Sequence, residues 1–174
     1  MRDGFTRESD RVYVTTPAGL VSMRFDGTDR RTHVKVVGKT MFAPESQATA
    51  DAIVLRPDGR WALALVSNQL YILALPQVGG EAPTVDVYAA AVPLRKLTDV
   101  GADYATWADD GNTIVWALGS SAFRLPFTKV EFEPAKPDGE DRAEKPPAGD
   151  KDEARPPVPK VPKAEEIEIG RAHV

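Results

Sequence analysis

Apolar residues along this chain recur in short alternating runs broken by Gly, Pro, Asp and Asn. That spacing predicts strands joined by tight turns rather than helices. The most regular stretch is Ala50–Leu75. Ala52–Leu55 reads as a short apolar strand, followed by a turn at Pro57-Asp58-Gly59-Arg60. Proline pre-sets φ there, and Asp-Gly suits positions that need φ > 0. Trp61–Val66 is a second strand, Ser67-Asn68 a second turn, and Gln69–Leu75 a third strand. Leu70 and Ile72 fall on one face of that strand, and Tyr71, Leu73 and Leu75 on the other. A meander that is apolar on both faces needs a partner sheet on each side, as inside a β-propeller or a sandwich.

The flanking segments read the same way. Arg11–Thr15, Leu20–Phe25 and Arg31–Val37 are expected strands, with turns at Thr16–Gly19 and Asp26-Gly27. They look like the last three strands of a sheet whose first strand is absent or lies in the first nine residues. Gly38–Thr49 is a connection, and Pro76–Ala91 a long excursion before a strand at Pro93–Leu97. Thr113–Ala117, Ala122–Phe127 and Val130–Phe132 complete the expected strands.

The second and third units repeat. Ala50-Asp51 recurs as Ala102-Asp103, and Asp58-Gly59 as Asp110-Gly111, each 52 residues on. The same offset aligns Leu55 with Trp107, Leu63 with Val115 and Tyr71 with Phe123. Equal offsets at turns and strands indicate one supersecondary unit used twice, near the length of a propeller blade. The expected fold class is therefore all-β: about two and a half blades of a propeller of four-stranded antiparallel sheets. The units cover about 11–40, 50–98 and 102–133, within a partial propeller over 1–133.

From Pro134 to Glu166 the pattern stops: 8 of these 33 residues are proline and 16 are charged. Such a segment cannot bury enough apolar area to offset its ordering entropy, so 134–167 is expected to be a disordered, semi-extended linker. Ile169–Val174 (IGRAHV) resembles the translation of a short-read sequencing adapter. The natural frame is accordingly expected to be cut near Ile167, with 168–174 an adapter-derived artefact.

Charge and composition narrow the chemistry. The formal net charge is −4 and the isoelectric point about 5.3, so no broad basic surface advertises nucleic acid. There is no cysteine, which excludes a disulfide framework and a thiolate metal site. No apolar run approaches the roughly 20 residues of a membrane helix, and the polar N-terminus has no signal-peptide core.

Candidate catalytic groups are few. His33 and His173 are the only histidines, too few for a His-x-His or His-Glu-x-x-His metal motif. His33 reads as a solvated strand histidine on the face of Arg31 and Lys35. Ser120-Ser121 lacks a nucleophile elbow and reads as a hairpin. Asp109-Asp110-Gly111-Asn112 lacks the later ligands of a calcium loop and reads as a turn. Asp51 and Asp103 are expected to accept backbone N–H bonds where the chain enters a unit. Trp61, Trp107 and Trp116 are expected to pack between units. The singled-out residues, Asp51, Asp58, Gly59, Asp103, Asp110, Gly111 and Trp107, are thus structural. No residue is assigned to catalysis, cofactor binding or metal.

Several runs carry a family resemblance. They are Ala52–Leu63 (AIVLRPDGRWAL), Asn68–Tyr71, Pro76–Glu81 (PQVGGE), Val92–Thr98, Thr106–Gly111 and Trp116–Gly119. In this order they resemble TolB-like or WD-repeat-like blades, and more specifically the propeller of bacterial amidohydrolases that carry it before a metal-dependent TIM-like barrel. The resemblance covers about Arg11–Phe127. It implies a non-catalytic propeller whose partner is a C-terminal barrel of the same chain, where a zinc-like divalent metal activates water to hydrolyse amide-type C–N bonds. It also implies a periplasmic or extracellular location. Two alternatives stay open: the propeller of a prolyl-oligopeptidase-type serine peptidase, and a stand-alone binding propeller. A partial propeller leaves two unit faces uncovered, so the isolated chain is expected to be marginal or to aggregate.

Overall fold

The computed structural model describes residues 3–4, 10–40, 43, 46–76, 81–132 and 161–168. The chain is all-β, with three sheets among the described residues. The first contains β1 (Asp3–Gly4), β2 (Arg11–Thr16), β3 (Gly19–Arg24), β4 (Arg31–Lys39) and β5 (Gln47–Thr49) in that order, with β9 (Thr84–Asp86) also paired to β4. The second runs β10 (Leu94–Lys96), β8 (Gln69–Ala74), β7 (Trp61–Val66) and β6 (Ala52–Leu55). The third runs β11 (Tyr104–Ala108), β12 (Thr113–Leu118), β13 (Ser121–Pro126) and β14 (Glu165–Glu168). Every pairing is antiparallel except β4 with β9.

The second sheet is the middle layer, because strand alternation gives it two apolar faces. Ala62, Ala64, Tyr71 and Leu73 pack with Tyr13, Leu20, Val34 and Val36 of the first sheet. Their neighbours Leu63, Leu70 and Ile72 pack with Ile114, Trp116 and Leu125 of the third. A one-residue slip of β7 or β8 would exchange these two sets, so the register is held from both sides. The partner sheets expected on each face of this meander are therefore present.

The 52-residue repeat holds in the backbone. The Asp51 N–H donates to the Leu65 carbonyl and the Asp103 N–H to the Ala117 carbonyl, each at 2.8 Å. Both contacts fall one residue out of the ladder that follows, in which Ala52 faces Leu65 and Tyr104 faces Ala117. Each unit thus starts with the same bulge.

Four expectations are corrected. Val130–Phe132 is not a strand. Val130 and Phe132 pack into the core between the second and third sheets, and the ring of Phe132 stacks on Trp61 at 4.4 Å. The fourth place in the third sheet goes to β14, where Arg124, Phe123 and Ala122 face Glu165, Glu166 and Ile167. The last residues assigned to a linker, and Glu168 with them, are therefore ladder residues. An open strand edge recruits even a charged segment, since ladder bonds use only the backbone. Residues 134–160 of that expected linker, and 169–174, lie outside the described residues.

The connection and the excursion also differ from expectation. β5 returns from the connection to pair with β4, and β9, inside the excursion, runs parallel to the same strand. Alternate residues of β4 serve the two neighbours. Its Val36 carbonyl accepts from Ala50, while the Lys35 N–H donates to Pro83 and the Val37 carbonyl accepts from Val87. β1 supplies the strand sought in the first nine residues, with Asp3 and Gly4 opposite Val14 and Tyr13.

The two outer faces are unequal. Val14, Val21 and Val37 of the first sheet lie outside the core shared with the second sheet, yet are buried. The third sheet presents Tyr104 at 61% exposure and Ile167 at 40%.

Candidate functional site

β2, β6 and β11, the first strand of four or more residues in each sheet, lie side by side, and the edges of β6 and β11 that carry no strand among the described residues must satisfy their own peptide groups. At β6 the Thr15 side chain does this, while Trp107 reaches a carbonyl that already serves the β6–β7 ladder. The Thr15 hydroxyl accepts from the Ile53 N–H at 2.8 Å and donates to the Ile53 carbonyl at 3.2 Å. From the other side, the Trp107 indole N–H donates to the Val54 carbonyl at 3.1 Å. Between these contacts and the outer face of the third sheet runs a groove of about 400 Å³. Tyr13, Ile53 and Leu55 form one wall, and Tyr104, Val115 and Ala122 belong to the other. Among the described residues no charged side chain lines it. Its chemistry is that of an apolar binding cleft with a strand edge in its floor.

The residues singled out in the sequence divide into two ends of the sheets. Asp51 and Asp103 stand where β6 and β11 begin. The Asp103 carboxylate accepts from the Gly119 N–H at 2.8 Å, as expected. The Asp51 carboxylate is exposed and has no such bond among the described residues. At the opposite end, Arg56 gathers Asp58, Gly111 and Trp107. Its Nη1 donates to Asp58 at 2.9 Å and its Nε to the Gly111 carbonyl at 2.8 Å. Its guanidinium lies over Phe127 at 4.2 Å and Trp107 at 5.7 Å. Arg56 was not singled out in the sequence. Its position immediately before Pro-Asp-Gly was the available signal.

The two Asp-Gly turns differ. Gly59 has φ +72 with open space where a side chain would be, while Asp58 accepts from the Arg60 N–H at 2.9 Å. In the second turn Asp109, Asp110 and Gly111 all have positive φ, of 52, 54 and 85. There Asp109 makes the side-chain bonds, accepting from Thr113 Oγ1 at 2.6 Å and Arg124 Nη2 at 3.2 Å. A Cβ on Gly111 would lie 2.8 Å from Arg56 Cγ.

A polar cluster was missed on the inner face of the first sheet. Buried Arg11 donates to the Ser22 hydroxyl through Nη2 at 3.0 Å and Nε at 3.3 Å, and to the Asp29 carbonyl through Nη2 at 2.6 Å. Its Nη1 pairs with the Asp29 carboxylate. Ser22 Oγ lies 2.7 Å from His33 Nε2, and the His33 ring packs against Tyr13 at 5.4 Å. The direction of the Ser22–His33 bond follows the His33 tautomer. His33 is thus half-buried and hydrogen-bonded, not the solvated strand histidine expected. Strict alternation sets His33 with Lys35, opposite Val34 and Val36, but the register shift of β3 on β4 at Leu20/Val21 brings it to the face of Ser22 and Tyr13. Ser22 is fully buried, and two guanidinium donors withdraw charge from its oxygen, so the arrangement is structural rather than nucleophilic. The Arg11 and Arg31 bonds hold the Asp29 carboxyl below the usual carboxylate range.

Among the described residues no group of three or more His, Asp or Glu is placed to hold a metal ion. No helix among the described residues is long and apolar enough to cross a membrane. Compared with known proteins, the chain matches no protein-family model, no curated protein and no solved structure.

Proposed function

We propose that the three sheets are blades of a β-propeller, and that this propeller is the non-catalytic accessory module of a larger metal-dependent amidohydrolase. One observation carries the propeller reading. The middle sheet is apolar on both faces and packed on both by neighbouring sheets, with the first strands of all three in one row. A 52-residue unit starting each time with the same bulge supports it further. The amidohydrolase reading rests on the sequence resemblance. In it, hydrolysis belongs to a C-terminal barrel of the same chain, and the propeller packs on that barrel or gates its substrate.

The test is to read the source DNA through codons 160–174 and beyond from an independent library. The expected result is a frame that continues past codon 167 into a barrel with a His-x-His motif. A genomic stop directly after codon 174 would remove the amidohydrolase reading. A second reading, a stand-alone binding propeller, is favoured by the uncharged groove beside β6 and β11.

A further inference from the structure

Among the described residues, no strand takes up the edge of β11, which borders this groove. The Phe127 N–H bonds to the Asn112 carbonyl, in register with the β12–β13 ladder. Even-numbered residues of β12 therefore bond to β13, and odd-numbered ones to β11. Tyr104, Thr106 and Ala108 face those odd residues, so the peptide groups of Ala105 and Trp107 point to the open edge. Among the described residues no strand pairs with that edge.

The same molecule shows how its other first strands are covered. The edge of β2 is paired by an extended segment, β1. In β6, the residue 52 positions before Ala105 is Ile53, and its N–H and carbonyl are both taken by Thr15. Among the described residues Ala105 has neither kind of partner, and it lines the groove. β6 lies between β2 and β11 in this row.

We propose that the β11 edge binds an extended, uncharged peptide segment of a second polypeptide, added as a strand. Its backbone bonds to Ala105 and Trp107. Its side chains point alternately toward Tyr13 and Leu55 and toward Val115 and Ala122. The absence of charge among the described lining residues selects apolar or small hydroxyl side chains, and a charged one would lose hydration without gaining a partner there. This inference uses only the strand edge and its walls, so it stands apart from the amidohydrolase reading and its DNA test.

The probe is a capped five-residue peptide of alternating valine and threonine, titrated into the full chain by calorimetry. A matched peptide N-methylated at alternate residues keeps the side chains and removes the ladder donors. The N-methylated peptide is expected to bind about tenfold or more weakly. The parent peptide is expected to slow hydrogen exchange at the Ala105 and Trp107 amides. Ala122→Glu, on the wall, is expected to weaken binding with an unchanged circular dichroism spectrum. Equal binding of the two peptides would mean an apolar cleft for small molecules and would overturn the proposal. So would no binding, or protection of those amides in a peptide-free dimer. The comparison of peptides on the unmodified chain stands even where a variant fails to fold.

Discussion

The two Asp-Gly turns, 52 residues apart, share their sequence signal and their ladder but not their conformation. The Pro57–Arg60 turn closes on itself, with a bond from the Gly59 N–H to the Arg56 carbonyl, and its glycine faces open space. The Asp109–Asn112 turn has three consecutive positive φ values and presses its glycine against Arg56. In the first, glycine answers a local backbone need. In the second it answers a neighbouring sheet as well. A repeated motif therefore fixes a repeated ladder, while the contact between units decides how each turn is used.

The largest expected effect separates the two glycines. Gly111→Ala combines a left-handed backbone with a clash against Arg56 and should cost about 2–4 kcal/mol. Gly59→Ala meets only the backbone term and should cost about 1 kcal/mol. Urea midpoints of the two variants measure the difference, and equal losses would show that the Arg56 contact is irrelevant to the second turn.

Removing Arg56 itself comes next. Arg56→Met loses the bond to the Gly111 carbonyl and the stacking on Phe127, an expected loss of about 2 kcal/mol. Arg56→Lys should recover little of it, because an ammonium cannot reproduce the planar fork that bonds and stacks at once. Full recovery by lysine would reduce the residue's role to charge alone.

The two side chains on β6 give a smaller contrast. Thr15→Val keeps the shape but strands both peptide groups of Ile53, costing about 1–3 kcal/mol. Trp107→Phe removes one bond to a carbonyl already placed in the ladder, and should cost about 1 kcal/mol. Chemical denaturation ranks them, and a larger loss for Trp107→Phe would reverse the account of how the first strands are joined.

The smallest effect is a pH dependence. Asp29 binds protons less readily in the folded chain than in the unfolded one. Its contribution is complete above the ordinary carboxylate range and is lost as pH falls through its lowered folded value. Asp29→Asn should flatten that acidic limb while leaving the alkaline side unchanged. Thermal melts across the acidic range report it, and an identical slope in the variant would assign the acid sensitivity to other groups.

Much of the ladder was legible because strand alternation is a local property. Tyr71 and Leu73 were placed opposite Leu70 and Ile72 before any neighbour was known, and the two sets bury on different sheets. The third sheet's last strand was not legible. Glu165–Glu168 has charge enough to read as solvated chain, and its place came from the open edge of β13 rather than from its own side chains. The Arg11–Ser22–His33 cluster was hidden for a related reason. Its members lie on three strands, and only cross-strand register brings them within hydrogen-bond distance.

The sequence by itself determined the strands of the central meander and their apolar faces, the tight turns between them, and that one unit is used twice, but not β5, β9 or β14. These follow from period, turn chemistry and spacing, all of which act over a few residues. Tertiary structure alone decided that Arg56 would join two turns, that Thr15 would close one strand edge, and that the β11 edge would stay open among the described residues. Each of these depends on which peptide groups and side chains face one another across separate sheets, and no local pattern encodes that distance.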